Sequence, residues 1–547
     1  MPKSESDVRE EIEYEDRLAR IANREDHSRS RLQAIRKNPW AFGWCLYAVW
    51  TILLVSVEDQ ASYNVLSIPE FRKDFGSSFG GNYVLAASWQ SAFSGAPIAT
   101  RIIGALAAGQ VADHIGRCNT LILALALSLA AVAMEFVATE KALFFGGKLL
   151  NGLAVASIES VSGTYIGEAF MNLLTEEQIA PLALRGLTTV LMAFSDGAGA
   201  LIVALIINGT GTYTNRWAYR VVFCSQFGFA AVAASFVWFM PESPWWLLSK
   251  GQEDKALKSL RRLGYTRSDG EDAKRLATIR VTLEEIRSET EGVSYFECFR
   301  KSNLRRTVVA IAPLSVEIFV GAIFTGLYST YYAQLAGYST SMSFRLLITQ
   351  QVLAIIGNVM SWFLIERVGR RNLTVYGTVA LTVMLWVMGG LAVGASRGEL
   401  RGAIATVQIY SWLYNLTIGA TAYTYLTEVA TARLRVKTMA VGFATQSGFG
   451  LLWSFVLPYL FNPDKADLGG KVGFIFGGFA VPCCAFLWWF QPETAGRSYE
   501  ELDEMFVKKI PARRFKTYKT EAEIKAEALT RRTQEAVPQD DSVDKIG

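Results

Sequence analysis

The residues GQVADHIGR, Gly109–Arg117, join two long apolar runs of the sequence. A related stretch, ERVGRR, Glu366–Arg371, joins two apolar runs in the second half. Glycine allows a chain to reverse within a few residues, and an aspartate and an arginine beside it can fix the turn with a charge-assisted hydrogen bond at the lipid boundary. The repeat predicts that the chain contains two copies of one membrane unit joined by small polar loops.

The composition is that of a membrane protein. Hydrophobic residues make up 51% of the 547 residues, and the mean hydropathy is +0.23. A helix crosses the hydrocarbon layer in about 20 residues. We therefore predict an all-α polytopic membrane protein with twelve transmembrane helices in two pseudo-symmetric six-helix bundles. The predicted spans are 42–66, 84–108, 119–137, 142–168, 184–207, 219–240, 306–331, 345–365, 373–394, 404–427, 439–460 and 472–490.

Charge and hydropathy divide the chain into five predicted segments. They are an N-terminal arm (1–40), a six-helix bundle (41–241), a central loop with short helices (242–305), a second bundle (306–491) and a tail (492–547). Basic residues concentrate in the arm, the loop and the tail. With an even number of spans these three segments share one side of the membrane, and the positive-inside rule makes that side cytoplasmic. The first span is too long for a cleavable signal and is predicted to be a signal anchor.

Several classes of function are disfavoured by the sequence. The net charge is only +4, and acidic residues interleave with the basic ones, so nucleic-acid binding is not predicted. Six scattered cysteines without a CxxC pair are predicted to be apolar fillers. No phosphate-binding glycine motif or metal-ligand cluster occurs in the sequence, so neither an enzyme nor a cofactor or metal is predicted.

Three charged residues fall inside predicted spans of the first half. Glu58 and Asp59 lie in the latter half of the first span, and Arg101 lies in the middle of the second. Intramembrane charges are costly and usually face a water-filled cavity, so they are functional candidates. If the first helix ends early, the two carboxylates instead lie in an outer loop. The sequence leaves open whether Glu58, Asp59 or the cavity satisfies Arg101.

Polar and aromatic residues in the second half form a candidate ligand site. Such side chains stack on and hydrogen-bond a hydroxylated ligand, although single ones also serve as contacts between helices. The candidates are Glu317, Tyr328, Tyr331, Gln350, Gln351, Asn358, Trp412 and Asn415.

Further motifs follow the sixth and twelfth runs. They are Pro241-Glu242-Ser243-Pro244 and Pro492-Glu493-Thr494, with Tyr499–Phe506 after the second. Together with the paired loops and Tyr328–Tyr331, they resemble the sugar porter family of the major facilitator superfamily. The resemblance covers roughly residues 40–506 and is strongest to the fungal maltose and α-glucoside permease branch.

The resemblance implies two bundles that rock around a central sugar site. It also implies cytoplasmic salt bridges that form in one state and break in the other. The matching residues are Asp113, Arg117, Arg185, Glu242, Arg370, Arg371, Glu428, Arg433, Glu493 and Arg497.

The resemblance places proton coupling in the first half. The acidic residue of proton-coupled members falls on Glu58, with Asp59 beside it, and an arginine of the fourth span becomes Lys148, a possible charge partner. In span five, Ser195 and Asp196 lie near a sugar-contacting position of the family, and in span seven Glu317 replaces a glutamine.

The predicted function is secondary active transport of a hexose or an α-glucoside-class disaccharide by alternating access, with a proton as the expected co-substrate. A facilitative sugar or polyol uniporter and a sugar sensor without net flux are the alternatives. We expect a monomer in the lipid bilayer of the plasma membrane, with both termini cytoplasmic. Residues Ala169–Gln178 interrupt the family's turn, and we hypothesise that this insertion separates Glu168 from Arg185.

Overall fold

A computed structural model describes residues 39–79, 82–171, 182–264, 269–290, 294–394, 396–497 and 499–520. Within this part of the chain, nine helices are long and apolar enough to cross a membrane. Phe194–Thr210, which belongs to the longer helix Leu182–Thr210, is a shorter apolar stretch. The predicted all-α polytopic fold is confirmed.

Each of the twelve predicted runs coincides with one helix or with consecutive helices, which we number spans 1 to 12. Spans 1 to 6 are Pro39–Asn64, Ala87–Ile115, Arg117–Val137, Lys141–Met171, Leu182–Thr210 and Trp217–Val237. Spans 7 to 12 begin with Lys301–Phe319, Thr340–Arg367, Arg370–Gly394, Arg397–Leu416, Arg435–Phe461 and Val472–Phe490. Span 7 continues as Ala322–Leu327 and Ser329–Leu335, and span 10 continues as Ile418–Val429.

Short elements connect the spans. Between spans 1 and 2 lie a helix, Pro69–Phe75, and two antiparallel strands, Ser77–Phe79 and Asn82–Val84. Among the described residues, three α-helices lie between the halves and one follows span 12: Pro244–Ser249, Glu253–Leu263, Asp269–Thr290 and Tyr499–Val507. An apolar cluster that includes Ala41 and Trp245 packs the central helices against the beginning of span 1.

The two loop motifs are mostly helical, which corrects the prediction of a polar loop. Gly109 to Ile115 are the last turns of span 2, and span 3 begins at Arg117. Gly116 alone makes the turn, with φ of +96°, and Gly369 with φ of +91° does the same between spans 8 and 9. A left-handed φ favours glycine, so one residue reverses the chain where the prediction required several.

Spans 7 and 10 are broken, whereas the sequence predicted continuous helices over 306–331 and 404–427. Span 7 stops before Gly321, which has φ of +89°, and resumes at Ala322. Span 10 is interrupted at Thr417. Interrupted helices at membrane depth are tolerated where the backbone is buried in protein or lines a cavity.

The helices of each half pack closely through small residues. A Cβ atom on Gly104 of span 2 would lie 2.7 Å from the carbonyl oxygen of Leu153 in span 4. A Cβ atom on Gly473 of span 12 would lie 2.5 Å from the carbonyl oxygen of Leu385 in span 9. Small residues allow backbones to approach where no hydrophobic effect drives helices together.

Candidate functional site

A cavity of about 200 Å³ lies between the two halves. The first half contributes span 1 and span 5, and the second half contributes spans 7, 8 and 10. Amide, hydroxyl and aromatic groups dominate the polar part of its wall: Gln60, Thr325, Gln350, Gln351, Asn358, Trp362, Tyr410, Ser411, Tyr414 and Asn415, with Asp196 as a carboxylate. Such a lining suits an uncharged, polyhydroxylated ligand.

Five of the predicted ligand residues line this cavity: Asp196, Gln350, Gln351, Asn358 and Asn415. The amide of Gln350 is held in place, since it donates to the carbonyl oxygen of Thr325 at 2.8 Å and accepts from the Ser329 hydroxyl at 2.7 Å. Gln351 and Asn358 lie on the same span, and both line the cavity.

The other five predicted ligand residues lie elsewhere: Ser195, Glu317, Tyr328, Tyr331 and Trp412 do not line the cavity. The Ser195 hydroxyl donates to its own helix. Tyr328 is bonded to Ser94 at 3.1 Å, and the Tyr331 ring lies under the Arg72 guanidinium. Glu317 is 2% exposed and accepts from Gln446 at 3.0 Å. These five residues lie on spans 5, 7 and 10, which also line the cavity, but at positions outside its wall.

Sequence reasoning missed several cavity residues: Gln60, Thr325, Trp362, Tyr410 and Ser411. A periodic signal was present in span 8. Gln351, Ile355, Asn358 and Trp362 recur at spacings of four, three and four, which places them on one helical face.

Glu58 is fully buried within the first half. It lies inside span 1, as Asp59 does, so the alternative in which the helix ends before these carboxylates is wrong. Glu58 accepts hydrogen bonds from the Ser128 hydroxyl and from the Asn151 amide, the latter at 3.2 Å.

Lys148 is also fully buried, but its ion-pair partner is not the predicted one. Its Nζ lies 3.0 Å from a carboxylate oxygen of Glu135 and donates to the Ser62 hydroxyl at 2.7 Å. The sequence-level expectation paired Lys148 with Glu58 and overlooked Glu135. Glu135 is an acidic residue inside an apolar span, and this signal could have identified it as a functional candidate.

Arg101 binds two carboxylates. Its guanidinium lies 2.5 Å from Asp59 and 2.7 Å from Glu159. Asp59 was one of the partners left open by the sequence, whereas Glu159 on span 4 was not considered. The side chains of this group are partly exposed, so solvent screens the pairs.

The loop motif of the first half holds a set of charged contacts. Arg117 lies 3.1 Å from Asp113 and 2.7 Å from Glu168. Glu242 accepts the backbone N–H groups of Arg117 at 2.9 Å and Cys118 at 3.1 Å. The carboxylate of Glu242 therefore caps the beginning of span 3.

The second half repeats this arrangement. Arg370 lies 2.9 Å from Glu366 and 3.3 Å from Glu428. Glu493 accepts the backbone N–H groups of Arg370 at 2.9 Å and Arg371 at 3.2 Å. The one-to-one correspondence of the two sets is direct geometric support for pseudo-symmetry.

The remaining gating candidates have other environments. Arg371 donates to carbonyl oxygens at the end of span 12, and Arg497 donates to the carbonyl oxygens of Phe515 and Tyr518 in the tail. Arg433 is exposed and forms no ion pair within the described parts of the chain. The Arg185 side chain, and residues 172–178 of the hypothesised insertion, lie outside what the structure describes.

Hydrogen bonds join the two halves at one end of the helices. We name the end that holds Gly116 and Gly369 the motif face, and the opposite end the far face. At the far face, Arg72 donates to Gln334 at 2.6 Å and Gln334 donates to the carbonyl oxygen of Ser67 at 2.9 Å. Asn462 donates to the carbonyl oxygen of Leu85 at 3.1 Å. The ion pairs of Arg117 with Glu168 and of Arg370 with Glu428 at the motif face, in contrast, each lie within one half.

Two helical halves around a polar cavity that is closed at one face define a secondary transporter. The chain belongs to the sugar transporter family of the major facilitator superfamily, since the family described as "Sugar (and other) transporter" matches residues 46–506. The protein is thus a sugar transporter and not an enzyme.

Individual relatives agree with this assignment. A general alpha-glucoside permease of Saccharomyces cerevisiae is 28% identical over 504 residues, which cover 91% of this chain and 80% of that protein. Maltose permease MAL31 of the same yeast is 28% identical over 531 residues, which cover 96% and 85%.

Solved structures show the same fold. The xylose transporter XylE from E. coli, in a partially occluded inward-open conformation, matches with a TM-score of 0.65 at 19% identity, over 84% of this chain and all of that one. The proton:xylose symporter XylE bound to 6-bromo-6-deoxy-D-glucose matches with a TM-score of 0.64 at 21% identity, over 86% and 99%. The predicted major facilitator fold is therefore confirmed.

Proposed function

We propose that this protein imports an α-glucoside or hexose across the plasma membrane together with a proton, by alternating access. The observation that supports this most strongly is the cavity between the halves, whose wall combines amides with aromatic rings. Sugars present hydroxyl groups to amides and apolar C–H faces to rings, so this wall matches both. The names of the yeast relatives, which refer to α-glucosides and maltose, support the substrate class.

The distribution of contacts supports alternating access. Hydrogen bonds join the halves at the far face, while at the motif face the ion pairs Arg117–Glu168 and Arg370–Glu428 each lie within one half. We take the motif face as cytoplasmic, with both termini on that side, in accord with the basic segments of the chain. The structure then corresponds to a state closed toward the outside. The moving units are the proposed bundles 41–241 and 306–491, and a monomer contains the whole cavity.

Proton coupling is assigned to Glu58. A carboxylate buried within a membrane span is costly unless it is paired, protonated or functional. Glu58 accepts hydrogen bonds from two neutral donors, Ser128 and Asn151, so both its charged and its protonated form can be accommodated. Asp59, in contrast, is already paired with Arg101.

Purified protein in proteoliposomes tests this function. An inward proton gradient should drive accumulation of maltose or another α-glucoside, and sugar entry should acidify the lumen. Uptake that reaches only equilibrium would instead indicate the uniporter. Binding without counterflow would indicate a sensor. If no hexose or α-glucoside were either bound or transported, the assignment to sugars would be contradicted.

Replacing Gln351 and Asn358 together by leucine is expected to raise KM for the sugar by about 5- to 150-fold. Both residues line the cavity, and each net hydrogen bond from an amide to the sugar contributes about 0.5–1.5 kcal/mol. Initial uptake rates against sugar concentration measure the change. Val352→Ala on the same helix, at a position that is 39% exposed, is the matched control. An unchanged KM in the double variant would remove these amides from the binding site.

A further inference from the structure

Six buried polar side chains form two stacked layers inside the first half. One layer contains Glu58, Ser128 and Asn151, and the other contains Ser62, Glu135 and Lys148. Spans 1, 3 and 4 each contribute one residue to each layer. All six side chains belong to residues that are at most 4% exposed.

The two layers differ in charge. The layer of Glu58 contains a carboxylate and two neutral donors. The other layer contains the ammonium of Lys148, the carboxylate of Glu135 at 3.0 Å and the Ser62 hydroxyl at 2.7 Å. The buried cation is thus bonded to Glu135, and Glu58 has no cation in its own layer.

The layers are close enough for Lys148 to change partner. Glu58 and Ser62 are four residues apart on span 1, and Lys148 and Asn151 are three residues apart on span 4, so about one helical turn of 5.4 Å separates the layers along these two spans. On span 3 the spacing is wider, since Ser128 and Glu135 are seven residues apart, or about two turns. The lysine ammonium is a compact charge on a flexible four-carbon stem, which makes such a shift feasible.

We propose that Glu135 is a positioning residue for proton coupling, because it holds Lys148 away from Glu58. An ammonium beside a carboxylate favours the ionised form, and a Glu58 held ionised does not take up a proton at working pH. Glu135 therefore allows Glu58 to alternate between its charged and neutral forms. This inference rests on the proposed function, in which Glu58 carries the proton.

The other charged groups near Glu58 are already paired or line the cavity. Arg101 of span 2 binds Asp59 of span 1 and Glu159 of span 4. Asp196 of span 5 lines the cavity. Arg101 already has two carboxylates, so Lys148 is the cation whose position is set by a single acidic partner.

Glu135→Gln tests the proposal. The amide keeps the size of the side chain and removes its charge, so Lys148 is left with Glu58 as the carboxylate in the neighbouring layer. The pH at which proton-driven uptake is half-maximal should then move down by about 1–3 units, the size of the effect of an adjacent opposite charge. Sugar counterflow at equal pH on both sides should remain within about twofold of wild type, because it needs no net proton transfer. An unchanged uptake profile would overturn the proposal.

The double variant Glu135→Gln/Lys148→Met separates positioning from a merely structural role. Replacing a buried ion pair by apolar or neutral groups of similar volume is often tolerated, so this variant is expected to fold even if the single one does not. Without Lys148 there is no cation to restrain, and the pH profile should return to that of wild type. A double variant that keeps an acid shift would overturn the proposal by itself.

A failure of proton symport and a failure of the Glu135 role give different results. If uptake by the wild-type protein ignores an imposed proton gradient, the proposed proton symport is wrong and this inference falls with it. If the wild type is coupled to protons and the Glu135→Gln profile matches it, only the role of Glu135 is wrong.

Discussion

Glu58→Gln is expected to abolish accumulation of sugar against a gradient while downhill exchange continues. The amide is nearly isosteric with the carboxylate and retains an oxygen that accepts from Ser128 or Asn151. It cannot gain or lose a proton. Each pH unit across the membrane provides about 1.4 kcal/mol, or tenfold accumulation for one proton per sugar. A gradient of two units should therefore concentrate sugar up to about 100-fold in wild type and not at all in the variant.

Labelled sugar in proteoliposomes, with and without the gradient, measures this difference. Glu399→Gln is the matched control, because Glu399 lies in a capping box at the beginning of span 10 and glutamine preserves that motif. Gradient-driven accumulation that survives in Glu58→Gln would exclude Glu58 as the proton carrier. Loss of counterflow as well would show that the substitution damages more than coupling.

Gly116→Ala and Gly369→Ala are each expected to destabilise the protein by about 2–5 kcal/mol. Both glycines have a left-handed φ, where an L side chain is strained by about 1–3 kcal/mol. A Cβ atom at Gly116 would also collide with the carboxylate of Glu242, and one at Gly369 would collide with that of Glu493. These carboxylates satisfy backbone N–H groups at the beginnings of spans 3 and 9, and losing such a bond costs about 1–3 kcal/mol.

Thermal unfolding in detergent, followed by size-exclusion chromatography, measures the loss of stability. Gly109→Ala is the control within the same motif: Gly109 is helical, and a Cβ atom there would meet nothing within 4 Å. Alanine usually stabilises a helix relative to glycine, so this control should equal or exceed wild type. Equal stability of all three variants would show that the turn geometry at Gly116 and Gly369 is not required.

The order of the spans was predictable because the bilayer imposes a length and a composition on each helix. The repeated motifs located the two halves, and the same repeats place Arg117 and Arg370 in equivalent environments. The breaks in spans 7 and 10 were not predictable from hydropathy, since the residues around Gly321 and Thr417 stay apolar or only mildly polar through each break.

The interaction partners of polar side chains were harder to predict than the spans that carry these side chains. Lys148 was recognised as a charged residue in a span, but pairing depends on which helix faces it, and span 3 brings Glu135 within 3.0 Å. Tyr328 has the chemistry of a sugar contact, yet it lies at the far-face end of its span and bonds to Ser94 of the other half. The sequence specifies the chemistry of a side chain, and packing decides whether that side chain faces a ligand, a partner helix or lipid.

Interspin distances across both faces test alternating access most directly. Spin labels at His114 and Val368 report the motif face, and labels at Lys73 and Lys465 report the far face, since all four positions are exposed and each pair spans the two halves. In a cysteine-depleted background, conditions that shift the protein to its other state, such as external sugar at low pH, should lengthen the far-face distance and shorten the motif-face distance together. Two distances that stay constant, or that change in the same direction, would contradict rocking of the two halves around the central cavity.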